Sequence, residues 1–300
     1  MKKVILFYAV LSNNGRFDII YIIHTNIKGM NSMTTGSIKT GDGTLEYFSF
    51  GSGSRTLLIL PGLGIQSVLK AAHSVESAYG CFSKDYTVYV ADRRNPVPKG
   101  FSVEGMADDT YALLNELGVE KADVFGASMG GMIAQTFALR YPERVHSLIL
   151  GSTLSRPNQT ATRVMERWMD SARKRDSRAM AKQMIGLLYT EKLAAQWEMI
   201  SELMFAGVTD ADYDRFIEQA KAVENFDVYD ELPKLGCPVF VIGVDGDKVL
   251  TGEASREIAR KLGCDCYMYG SEYAHCVFDE APDYKQRMMD WLDTTYISIV

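Results

Sequence analysis

Gly126-Ala127-Ser128-Met129-Gly130-Gly131 separates a short apolar stretch, Ala122 to Phe125, from a helix-patterned one that runs to Pro142. A serine with glycines two residues away on either side, between a buried strand and a helix, is the pattern of a nucleophile elbow. The turn is so tight that only small residues fit beside the serine, and the hydroxyl stands clear of the sheet. The helix that starts just after Ser128 aims free N–H groups and a partial positive charge at any anion formed there. Gly-x-Ser-x-Gly also arises by chance as a glycine loop or a helix cap. The strand before it and the helix after it favour the nucleophile.

From residue 34 onward the chain alternates strand-like and helix-like segments around this turn. LEYFSF, TLLILPG, YTVYVAD, ADVFGAS, VHSLILGS, CPVFVIG and CDCYMYG are short, rich in β-branched or aromatic residues, and bounded by Gly, Pro, Asp or Ser. Several are apolar throughout, as strands covered by helices on both faces are, and helical patterns such as FSVEGMADDTYALLNELG and GEASREIARKLG lie between them. The expected fold is α/β, a mostly parallel doubly wound sheet. From Arg156 to Leu232 the strand signal stops and apolar residues recur at helical spacing. The expected organisation is therefore a core of residues 34–155 and 233–300, with a helical cap over residues 156–232 inserted between strands. Most of the cap's large apolar side chains (Met165, Trp168, Met169, Met184, Trp197, Met204) should pack in its interior, and a minority should face a ligand cavity. Trp168 and Met169 are the candidates for shaping that cavity.

Residues 1–33 read as an amino-terminal extension. Val4 to Leu11 is an apolar run at the short end of a signal-peptide core and far too short to span a bilayer. No A-x-A-like cleavage site follows, and DIIYII (residues 18–23) is strand-forming. The expectation is a dispensable segment, with export as the competing reading.

Composition narrows the function. The chain has 300 residues, 47% of them apolar, which suffices for a large core. The net charge is −6, and Lys and Arg are scattered and form no patch that could track phosphates, so no nucleic-acid partner is expected. No membrane association is expected either. Five cysteines without framework spacing read as thiols in a reducing, cytoplasmic setting. Cys264-x-Cys266, with Cys276 beside His275, lacks metal-ligand spacing. Gly51, Gly53, Gly62 and Gly64 do not form a dinucleotide fingerprint. Neither metal nor cofactor is implied.

With Gly-x-Ser-x-Gly in this setting, the chain resembles the α/β-hydrolase superfamily from about Thr44 to Asp293. In that family the nucleophile, an acid and a histidine follow one another along the chain. After CPVFVIG, Asp247 with Lys248, Val249 and Leu250 matches the family's acid loop, whereas Asp245 would put a glycine and an aspartate where an apolar residue belongs. By residue type alone either carboxylate could serve. His275, in the loop before Glu280 and Pro282, falls on the family's histidine position. The resemblance also implies that the backbone N–H groups of Leu63, in the loop Leu60-Pro61-Gly62-Leu63-Gly64, and of Met129 form the oxyanion hole. Two departures stand out: Pro61 replaces the usual histidine, and Asn95-Pro96 replaces the Gly-His that commonly follows the arginines.

The chemistry needs such a set. A serine hydroxyl becomes a useful nucleophile when an imidazole takes its proton, and a carboxylate behind the imidazole fixes the tautomer. The expected activity is hydrolysis of a small or medium hydrophobic carboxylic ester, lactone or thioester through an acyl-enzyme. The same triad also serves carbon-carbon bond hydrolysis, aminopeptidase and acyltransferase reactions, and a slow-turnover receptor of this fold would retain it. The expected partner is a small hydrophobic acyl compound, and the expected state a monomer or homodimer.

Overall fold

The computed structural model describes residues 6–11, 17–22, 33–205 and 207–299. Contacts divide the chain into two units, Met1–Ser32 and Met33–Val300. In the first, strands β1 (Leu6–Leu11) and β2 (Phe17–Ile22) pair antiparallel, with Leu6 opposite Ile22 and Leu11 opposite Phe17.

The second unit is built on eight strands: β3 (Thr34–Thr40), β4 (Gly43–Phe50), β5 (Arg55–Leu60), β6 (Tyr86–Ala91), β7 (Ala122–Ala127), β8 (Val145–Gly151), β9 (Val239–Val244) and β10 (Asp265–Tyr269). Their order across the sheet is β10-β9-β8-β7-β5-β6-β4-β3. The six strands from β10 to β6 run parallel, and β4 and β3 close one edge antiparallel. All seven segments expected as strands are strands. β3 is the addition, and it carries little hydrophobic signal because it is an edge strand on which only Ile38 and Thr40 are buried.

Side chains alternate across each strand, so the central strands feed two cores. Leu58 and Leu60 of β5 face one, with Val124, Leu148 and Val241. Leu57 and Ile59 face the other, with Phe125, Ile149 and Ile242. Helices α1 (Ala72–Tyr79), α2 (Val103–Glu116) and α3 (Met129–Arg140) alternate with strands β5 to β8. α2 and α3 cover the first face, and α1 packs on the second. Because strands buried on both faces need no polar side, β7 and β9 are buried at every residue.

Among the described residues, four α-helices lie between β8 and β9: α4 (Gln159–Arg173), α5 (Ser177–Leu188), α6 (Glu191–Met204) and α7 (Asp210–Glu224). The first, second and fourth begin on capping side chains, Asn158, Asp176 and Thr209, the last in a reciprocal capping box with Asp212. α4 and α7 turn Trp168 and Phe216 into the core shared with α2 and α3. After β9 come α8 (Gly252–Leu262), β10, the single turn α9 (Val277–Glu280) and α10 (Tyr284–Ile299). β10 is the edge strand opposite β3, and α10 holds it to the sheet through Tyr284, whose ring stacks on Tyr269 and packs beside Phe125.

The chain leaves β5 for β6 on one side and returns to β7 on the other. In open α/β sheets, ligands bind outside the carboxyl ends of the strands at such a reversal. The loops that leave those two ends begin at Pro61 and Ser128.

Candidate active site

Ser128 follows β7 with φ 54° and ψ −121°, a conformation that costs a non-glycine residue on the order of 1–3 kcal/mol. Its backbone is held from several sides. Ser128 N–H donates to the Gly151 carbonyl at 2.8 Å, and Ser128 C=O accepts from Gly131 N–H at 2.9 Å and from the Thr153 hydroxyl at 2.7 Å. The glycines around it are demanded by space. A Cβ on Gly130 would sit on the Leu60 carbonyl, one on Gly126 would strike the backbone of Gly130, and one on Gly131 would lie 2.6 Å from Thr153 Cβ. Gly62 faces Ser128 so closely that a Cβ there would lie 3.2 Å from the serine Cβ. The strand, the helix and the loop after β5 are thus packed backbone against backbone at the serine.

A cavity of about 200 Å³ opens there. Ser128, His275, Gly62, Leu63 and Met129 line it from the sheet side, and Met165, Trp168, Leu188, Tyr189 and Val223 line it from the helices of residues 159–224. Met132, Leu250, Cys276 and Phe278 complete the wall among the described residues, and no Asp, Glu, Lys or Arg of those residues belongs to it. Met129 is the first residue of α3, where an N–H has no partner within its own helix.

Behind His275 lies Asp247. His275 Nδ1 is 2.9 Å from Asp247 Oδ2, and both side chains are buried. The other carboxylate oxygen accepts from Val249 N–H at 2.7 Å and Leu250 N–H at 2.9 Å. Burial acts to raise the Asp247 carboxyl, but His275 and those amides outweigh it and hold the group below its usual range. Asp245 points elsewhere: its side chain is 41% exposed, against 1% for Asp247, and pairs with Arg256. Of the two aspartates, Asp247 is the one that meets the imidazole.

His146 and His73 sit apart from the cavity lining. His146 pairs with Asp123 at 2.8 Å and stacks on Tyr296, and His73 is half exposed beside Glu76 at 3.6 Å. His24 lies outside the described residues. Of the six large apolar residues singled out between 156 and 232, Met165 and Trp168 line the cavity. Met169 and Met184 are buried without lining it, so the expectation that Met169 shapes the cavity fails: it falls on a part of α4 turned into the core. Trp197 packs on Tyr189, and the Met204 side chain lies outside those described. Burial pushes the Cys276 thiol well up, so beside His275 it stays protonated.

Two sets of contacts were not legible in the sequence. The end of α5 docks on the histidine loop, where Cys276 N–H donates to the Leu188 carbonyl at 2.9 Å and Thr190 N–H donates to Glu280 Oε1 at 2.8 Å. Arg93, after β6, reaches under the loop of Pro61 and Gly62. No hydrophobic period or local motif marks either, since each joins residues far apart in the chain. At the departures from the resembled pattern, Asn95 exchanges two backbone hydrogen bonds with Thr44, and the Pro61 carbonyl accepts from Arg93.

The sequence profile described as the α/β-hydrolase fold matches residues 55–282, well over half of the chain. The chain belongs to the α/β-hydrolase family. It is 27% identical over 193 residues to a provisionally named carbamate hydrolase, RutD, of Pseudomonas syringae pv. syringae, covering 60% of this chain and 73% of that protein. Homoserine O-acetyltransferase of Thermus thermophilus is 26% identical over 270 residues, covering 78% of this chain and 70% of that protein. The structure also superposes on the enol-lactonase of Burkholderia xenovorans with a TM-score of 0.75 at 18% identity, over 86% of this chain and all of that one. Among the described residues, no helix is long and apolar enough to cross a membrane.

Proposed function

We propose that this protein is a serine hydrolase in which Ser128, His275 and Asp247 act as one unit on a small, uncharged, hydrophobic acyl substrate. The observation that carries this is the shared cavity: Ser128 and His275 line it together, and the buried Asp247 carboxylate grips the far nitrogen of the imidazole. Ser128 Oγ attacks the acyl carbon while His275 Nε2 takes its proton. The carbonyl electron pair moves onto oxygen, and the Leu63 and Met129 N–H groups receive that charge. The tetrahedral adduct then collapses, and the leaving alcohol, thiol or amine departs with the proton from His275. Water, deprotonated by the same imidazole, attacks the acyl-serine and releases the acid.

The wall supports a small, uncharged, hydrophobic acyl substrate. Among the described residues, eight aliphatic, sulfur-containing or aromatic hydrocarbon side chains (Leu63, Met129, Met132, Met165, Leu188, Val223, Leu250 and Phe278) face the cavity, and no Asp, Glu, Lys or Arg does. A substrate carboxylate or ammonium would have no partner there. The volume is below the usual range for drug-sized ligands, about 300–1,000 Å³, which favours a short acyl group. The relatives named for carbamate hydrolysis and homoserine acetylation mark the neighbouring reactions, and acyl transfer to an alcohol is the second reading supported by their names.

A fluorophosphonate probe should label Ser128, and p-nitrophenyl acetate and butyrate should be hydrolysed at rates that Ser128→Ala lowers by about 10⁶-fold. Labelling at another residue, or turnover retained in Ser128→Ala, rejects the proposal. A product ester formed in preference to acid when a primary alcohol is supplied at millimolar levels would select the transferase reading.

A further inference from the structure

Arg93 is almost entirely buried, 7% exposed, and is not among the residues that line the Ser128 cavity. Its Nη1 donates to the Pro61 carbonyl at 3.0 Å, its Nη2 to the Gly62 carbonyl, and its Nε to Gln219 Oε1 at 3.2 Å. Its own N–H donates to Asp92 Oδ1 at 2.8 Å, and the same oxygen accepts from Arg215 Nη2 at 2.6 Å. Gln219 and Arg215 belong to α7, so the cluster joins three parts of the chain: the loop after β5, the end of β6 and the helices inserted between β8 and β9.

The position of the Gly62 carbonyl is what gives this grip its meaning. Gly62 C=O and Leu63 N–H belong to a single peptide group, which is planar and trans, so they point in opposite directions. Fixing the oxygen on one side fixes the direction of the N–H on the other. A cation on the oxygen also draws electron density from the peptide and makes its N–H a stronger donor. The fork of a guanidinium suits two successive carbonyls in a way that an ammonium does not. We propose that Arg93 is a positioning residue of the oxyanion hole, aiming and polarising the Leu63 N–H from behind, and that Gln219 and Arg215 tie its placement to α7. This rests on the reading of Leu63 N–H as an oxyanion donor.

Stability alone accounts poorly for the cluster. Two cations share one carboxylate away from water, and Arg215 Nε and Gln219 Nε2 have no partner among the described residues. Such a partly satisfied network is a weaker stabiliser than hydrocarbon packing of the same volume. Burial pushes Arg93 down to about 10, with Asp92 opposing that and Arg215 adding to it, so the group remains a cation at neutral pH. Removing Arg93 leaves Asp92 and Arg215 as a balanced pair, and Arg93→Met should therefore fold.

The test uses the full chain, p-nitrophenyl butyrate, an alkyl boronic acid that forms an anionic tetrahedral adduct on serine, and a neutral alkyl amide that resembles the ground state. Arg93→Met should lower kcat by about 100-fold, within the range seen when an oxyanion donor is lost, with KM changed less than about threefold. Boronate affinity should fall by a similar factor while amide affinity holds. Arg93→Lys should recover part of the loss, and Gln219→Leu should cost several-fold with the same split between the two inhibitors. If Arg93→Met does not fold, that split in Arg93→Lys and Gln219→Leu decides. Parallel losses for both inhibitors, or unchanged kcat per folded molecule, overturn the proposal while leaving the serine hydrolase reading intact. A wild-type chain that binds no boronate and a Ser128→Ala variant that still turns over would overturn that reading, and this proposal with it.

Discussion

The turn that carries Ser128 and the helices that close over it are fixed by different means. At the turn, backbone meets backbone: glycine at 126 and 130 brings strand, helix and the β5 loop into contact, and Gly131 packs tightly on the Thr153 side chain. In α4 to α7, side chains set the spacing, and the cavity is bounded by methionine, leucine, valine and tryptophan that can be exchanged one at a time. A backbone contact has one solution, whereas a packed apolar surface has many of nearly equal energy. The chemistry should therefore be brittle at the rim of the sheet and the choice of substrate adjustable in the helices.

The largest effect that tests this contrast lies at the acid loop. Asp247→Asn should turn the His275 imidazole to the wrong tautomer and lower kcat by about 10⁴-fold on every ester, while Asp245→Asn, which loses an exposed pair with Arg256, should cost tenfold or less. Steady-state rates at matched folded fraction check this, and the reverse ranking would move the acid role to Asp245. The same variant has a signature in stability. The Asp247 carboxyl is depressed in the folded chain, so its contribution is present above the unfolded value, near 3.9, and is lost as pH falls through the lower folded value. Thermal midpoints should drop more steeply below about pH 4 in the wild type than in Asp247→Asn.

Smaller and more selective effects belong to the helices. Met165→Ala and Trp168→Leu enlarge the cavity, and the ratio of kcat/KM for p-nitrophenyl hexanoate over acetate should rise roughly tenfold, the scale on which a pocket reads methylene groups. A uniform fall on all esters would erase the proposed distinction between rim and helices. Met169→Leu, at a buried position outside the cavity lining, should leave that ratio unchanged.

The smallest effect is expected at the amino terminus. Residues 1–32 form a contact unit of their own, and a chain starting at Met33 should keep kcat and thermal midpoint. An inactive or insoluble truncation would make β1 and β2 part of the working fold.

How much of this could be read from sequence follows the same division. The elbow was legible because its constraint is local: Gly126, Ser128 and Gly130 lie within five residues, and strand and helix on either side are written in short-range periods. The seven apolar strands were legible for the same reason, and β3 was not, because an edge strand with two buried side chains carries almost no pattern. By residue type Asp247 and Asp245 stayed equivalent, since what separates them is the pair of amides at Val249 and Leu250 that orient one carboxylate and the Arg256 that draws off the other. The contact of Arg93 with the Pro61 and Gly62 carbonyls spans some thirty residues, and its link to Gln219 spans 126, and neither leaves a trace in any local window.

The placement of β10 at the edge of the sheet has a consequence for the order in which the enzyme comes into being. A chain leaving the ribosome presents β3 to β8, and with them the strained serine and the glycine-packed loop, well before residue 247 and longer still before residue 275. Domains begin to assemble during synthesis from the amino-terminal side. On the proposed reading of the site, a chain that ends before residue 275 lacks the imidazole that would take the Ser128 proton. If Ser128 and His275 act together as proposed, the site is completed only by chain made after β10, the last strand in sequence and the outermost at its edge of the sheet.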